Sequence, residues 1–80
     1  MNAEQAAGIV ESNRAELGLD PEFLLEDARR AIVEYKRDRE KPGPTKNRIA
    51  WVLRYVSPGG YADVQVDDET SKVLHVRRTA

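Results

Sequence analysis

The sequence predicts an α+β fold: one or two N-terminal helices packed on a three-stranded antiparallel meander, in the order α-α-β-β-β. Three observations predict it. Residues 49–56, 61–67 and 71–78 are short runs rich in β-branched and aromatic side chains, the composition of strands. Ser57-Pro58-Gly59-Gly60 and Asp67-Asp68-Glu69-Thr70-Ser71 separate them with turn-forming residues. Ahead of them lies a segment with apolar residues at helical spacing.

Residues 3–17 read as the first helix, with Ala6, Ile9, Val10 and Leu17 near one side and Gly18 where a C-terminal cap needs positive φ. Asp20-Pro21-Glu22 reads as a second helix start, an aspartate cap followed by proline at the first helical position. The main helix is expected over 20–41. Leu24, Ala28, Ala31, Ile32 and Tyr35 recur at three-and-four spacing, and Glu26–Arg30 lie four apart. Acids Glu22, Glu26 and Asp27 stand at its start and bases Lys36, Arg37, Arg39 and Lys41 at its end, as the helix dipole favours. Pro42-Gly43-Pro44 should end it.

The segment 48–56 admits two readings. As a strand it carries Ile49, Trp51, Leu53 and Tyr55 on one face and Ala50, Val52, Arg54 and Val56 on the other; as a helix, Ile49, Val52, Leu53 and Val56 align. Its shortness and aromatic content favour the strand. In the next strand Val64 and Val66 oppose Asp63, Gln65 and Asp67; in the last, Leu74 and Val76 oppose Val73, His75 and Arg77. The expected core is Leu24, Ala28, Ile32 and Tyr35 with Trp51 or Val52, Leu53, Val64, Val66, Leu74 and Val76.

Eighty residues make a single domain, which at this size buries only about 60% of its unfolded surface. The absence of cysteine excludes disulfides and thiolate metal sites. The N-terminus lacks the basic start and apolar run of a secretion signal, and no stretch approaches the roughly 20 apolar residues of a membrane span. A soluble, cytoplasmic protein with no membrane contact is the expectation. Residues 1–40 hold ten acids against six bases, and residues 41–80 four acids against seven bases. The net charge of −1 is far from a nucleic-acid footprint.

The runs Ala50-Trp51-Val52-Leu53-Arg54-Tyr55, Tyr61-Ala62-Asp63-Val64-Gln65-Val66-Asp67 and Glu69-Thr70-Ser71-Lys72-Val73-Leu74 resemble the small α+β domains of the PepSY and immunity-protein-35 type. Those place a helix before a strand ending near W-x-V, then a V-D strand end, a T-G-K-V-L turn and a closing strand. Ser71 stands where those families favour glycine, and the Gly-Pro segment associated with the immunity type is missing. The resemblance covers 24–78 at most and implies a binding or inhibitory module without chemistry of its own; no site residue transfers by position.

The residues by themselves point away from catalysis. His75 is the single histidine, too few for a histidine metal site, and reads as a half-exposed sheet residue. Asp67-Asp68-Glu69 lacks the alternation, glycine and distal glutamate of a calcium loop. Gly59-Gly60 follows a proline and leads into a strand, so it is no phosphate loop. Ser12, Ser57 and Ser71 have no accompanying base in a recognisable arrangement. No enzyme, cofactor or metal is expected. Lys46, Arg48, Arg54, Lys72, Arg77 and Arg78 near Trp51 and Tyr55 suggest single-strand stacking, but Asp63, Asp67, Asp68 and Glu69 share the sheet. A nucleic-acid regulator, winged-helix-like if 48–56 were helical, is the alternative reading.

The leading one is a non-enzymatic protein-interaction module, an inhibitor, immunity factor or accessory subunit. A first strand apolar on both faces leaves side chains outside a sheet covered on one side, unless the N-terminal helix covers them. Either Ala50, Val52 and Val56 or else Trp51 and Tyr55 remain outside, and Trp51, Tyr55, Tyr61, Val73, His75 and Arg77 are the candidate contact residues on the outer sheet face or edge. The partner is another protein or a second copy forming a homodimer.

Overall fold

A computed structural model describes residues 1–35 and 46–79. It is α+β, with two short helices, α1 (Ala3–Ser12) and α2 (Arg14–Leu17), and four strands, β1 (Leu24–Tyr35), β2 (Lys46–Ser57), β3 (Gly60–Asp67) and β4 (Val73–Thr79). The strands form one antiparallel sheet in the order β1-β2-β3-β4.

Asn2 caps α1: its side chain accepts from the Gln5 N–H, and the Gln5 side chain accepts from the Asn2 N–H, both at 2.8 Å, a reciprocal capping box. The helix breaks at Asn13, where the Ser12 hydroxyl and Asn13 amide donate to the Gly8 and Ile9 carbonyls in competition with the backbone ladder. Gly18 then ends α2 at φ 71°, in the left-handed conformation, as its position predicts.

The expected main helix over 20–41 is wrong: residues 24–35 are a strand, which raises the sheet from three strands to four. Asp20 does cap backbone, but by accepting from the Glu22 N–H at 2.8 Å in a turn that leads into β1. The physical reason is competition for partners. Strand β2 needs both its edges paired, and β1 pairs with it from Leu24↔Val56 to Tyr35↔Lys46. Each such backbone bond contributes about 0.5–1.5 kcal/mol net, which together exceeds the modest helix propensity of this segment. The core is already covered by Ala6, Val10 and Leu19 from the residues 1–19, so a second helix would find little apolar surface to bury. Arg30, expected to pair with Glu26, instead reaches Asp68 on the β3–β4 turn at 3.1 Å. Pro42-Gly43-Pro44 and the bases Lys36, Arg37, Arg39 and Lys41 lie outside the described residues.

Strand β2 is extended throughout, so the condition for a winged-helix arrangement is not met. Ser57 pairs with Gly60 across Pro58-Gly59. Leu53, Tyr55, Ala62, Val64 and Val66 are fully buried against Ala6, Val10 and Leu19. The expected core members Leu24 and Ile32 are instead 66% and 72% exposed, because the strand places them beyond the helices. The register also shifts between Gln65 and Val66, pairing Gln65 with His75 and Val66 with Val73. Leu74 is the extra residue. Val73 therefore packs against the core beside Val76, the reverse of simple alternation, and Leu74 stands outside the cluster. Among the described residues no helix is long and apolar enough to cross a membrane.

Candidate functional site

Both helices lie on one side of the sheet, and among the described residues no element packs on the other. Cross-strand register assembles that open face in rungs. One runs Asp27, Arg54, Asp63, Arg77 across all four strands, alternating in charge. Its neighbours are Arg29, Val52, Gln65, His75 and Leu24, Val56, Tyr61, Thr79.

At the centre Arg54 grips Asp63 with two parallel bonds, Nε to Oδ1 and Nη2 to Oδ2, each 2.9 Å. Its guanidinium also lies 4.1 Å from the centroid of the Tyr61 ring, a cation–π distance. The hydrogen bonds from Arg54 hold the Asp63 carboxyl below its ordinary range and, reciprocally, raise the Arg54 guanidinium above its own. Both stay charged. Beside this pair a groove of about 270 Å³ is lined by Glu26, Asp27, Arg29, Val52, Arg54 and Asp63. The face presents a charge-alternating surface with the Tyr61 ring beside its central ion pair.

The six residues singled out from the sequence divide between the two sides. Tyr61, His75 and Arg77 share the open face. Trp51, Tyr55 and Val73 face the helices. Tyr55 is completely buried; its hydroxyl lies 3.4 Å from Glu11 Oε1 and its ring under the Arg14 guanidinium at 5.7 Å. Burial and the nearby Glu11 carboxylate push its hydroxyl pKa up to about 12. Trp51 is half-buried and donates its indole N–H to Asp68 Oδ1 at 2.9 Å. These two are structural groups in this arrangement.

At the far end of β3, Asp67 is buried and accepts from Arg48 and from the Glu69 N–H at 3.0 Å. Burial alone would raise its carboxyl; the Glu69, Arg48 and Thr70 hydrogen bonds override that and hold it low. The acids of this turn are thus consumed by Arg48, Trp51 and Arg30. Among the described residues no group of three or more His, Cys, Asp or Glu side chains converges as metal ligands would.

Sequence reasoning missed Arg54 and Asp63 as partners. The signal was present: both lie equally distant from the Pro58-Gly59 turn, so a two-residue hairpin places them opposite. No family model matches the chain, and no curated protein or solved structure matches it either.

Proposed function

We propose that the protein is a non-enzymatic protein-interaction module, an inhibitor, immunity factor or accessory subunit, which meets another protein on the open sheet face. The observation that carries this reading is the layering: helices cover one face, while the other holds a pre-ordered Arg54–Asp63–Tyr61 cluster flanked by Arg77 and His75. Tyrosine and arginine held rigidly are the residues that dominate binding energy at protein interfaces, because little side-chain entropy is lost on docking. The resemblance of residues 50–74 to PepSY and immunity-protein-35 domains points to the same class of role. On this face each cation of the central rung stands opposite an acid, which argues against a polyanion.

The test is to isolate the partner with the tagged protein from its native cell and to titrate the purified pair calorimetrically. Tyr61→Ala should weaken binding by about 2 kcal/mol, and Arg77→Glu should weaken it further, with unchanged circular dichroism. A partner that binds both variants as tightly as the wild type would place the contact elsewhere.

A further inference from the structure

Among the described residues, strand β1 stands at the edge of the sheet with β2 on one side only. Such an edge offers a row of backbone donors and acceptors for another strand, and proteins that avoid this blunt the edge with charge or brevity. β4, at the opposite edge, is shorter and carries Arg77 and Arg78 with no acid to complement them in a second copy. β1 is long and reads differently. Its residues run Leu24-Leu25, Glu26-Asp27, Ala28, Arg29-Arg30, Ala31-Ile32: apolar, acid, small, base, apolar. The order is antisymmetric in charge about Ala28.

We propose that a second copy of this chain occupies the β1 edge, the two β1 strands pairing antiparallel about a two-fold axis at Ala28 to give a continuous eight-stranded sheet. In this register Ala28 faces Ala28, and Asp27 of each copy faces Arg29 of the other, two opposite-charge pairs for one interface. Cross-strand pairs of this kind stabilise a sheet, and like charges in the same places oppose it. A parallel in-register arrangement would set Asp27 against Asp27 and Arg29 against Arg29, so the charge order selects direction as well as register. Past the bulge at Glu26, Leu24 and Leu25 of one copy come beside Ala31 and Ile32 of the other. Leu24, Leu25 and Ile32 are 66%, 44% and 72% exposed, and Leu24 borders an apolar groove formed with Leu19, Pro21 and Phe23. The dimer would remove these side chains from water at both ends of the strand pair. Because the pairing uses the edge alone, the open face of both copies remains available.

Sedimentation velocity over a concentration series tests the pairing. The wild type should be a dimer. Asp27→Arg and Arg29→Asp should each weaken association about tenfold or more, since every substitution acts twice across the axis. Mixing the two variants should restore a dimer, one copy now carrying bases where the other carries acids. A second readout does not depend on those variants: the chain has no cysteine, so Ala28→Cys should give a covalent dimer under mild oxidation, the paired Cα atoms being about 4.5–5.5 Å apart. Gln65→Cys, on the open face, should not. A wild type that stays monomeric, a dimer indifferent to both charge reversals, or Ala28→Cys remaining uncross-linked would each overturn the proposal.

Discussion

Two kinds of titratable group hold the sheet to its surroundings, and they act at opposite ends of the pH scale. Tyr55 is neutral in the core, with its hydroxyl pushed up to about 12 by burial and by Glu11, while an unfolded tyrosine titrates near about 10. A raised folded-state pKa means that stability is fully present below about 10 and is lost as the pH climbs from there through about 12. Asp63 and Asp67 are depressed, so their contribution is present above the ordinary aspartate value of about 3.9 and disappears as the pH falls below it. Urea unfolding as a function of pH should therefore show decline at both extremes. Tyr55→Phe should flatten the alkaline limb and Asp67→Asn should reduce the acid limb. Limbs unchanged by these substitutions would show that other groups control them.

At the scale of the element, the turn between β3 and β4 carries a visible strain. Ser71 adopts φ 62°, a left-handed conformation that costs a non-glycine residue roughly 1–2 kcal/mol. It is held there because its N–H donates to the Asp67 carbonyl at 3.0 Å and the Asp67 N–H to the Lys72 carbonyl at 2.8 Å. Ser71→Gly should raise stability by about 0.5–1 kcal/mol, the strain relieved less the extra freedom of the unfolded glycine, measured as a higher urea midpoint at unchanged slope. Gly18 shows the complementary case. At φ 71° it tolerates the turn, but a Cβ there would run into the Arg78 guanidinium, which donates to the Leu17 carbonyl. Strand β1 is the element whose local signals misled. Leu24, Ala28, Ala31, Ile32 and Tyr35 have helical spacing and flanking charges of helical sign, yet Ile32, Val33 and Tyr35 are also good strand formers. Periodicity could not choose; an unpaired edge on β2 could.

For the whole molecule, the consequence of a single-sided helical layer is that one sheet surface and the β1 edge stay uncovered among the described residues. The charge-alternating rung across the open face predicts indifference to polyanions. Titration with generic duplex and single-stranded DNA over a salt series should give weak binding and a shallow slope, because few phosphates would be neutralised. A steep slope would move the nucleic-acid reading ahead of the protein-interaction one. Exposed Leu24 and Ile32 on the long edge belong to the same logic, since they lie beyond the reach of α1 and α2 and have no cover among the described residues.

What the sequence determined by itself was local: three strands and their turns, the positive φ at Gly18, and the inward set Leu53, Val64 and Val66. Alternation and turn chemistry act over a few residues and are written in those residues. Tertiary structure decided whether 24–35 coiled or extended, which side of β2 the helices covered, and thus that Trp51 and Tyr55 turn inward while Tyr61, His75 and Arg77 turn out. Those outcomes depend on which edge and which face remain unsatisfied after the rest of the chain has packed, a quantity that no single segment contains.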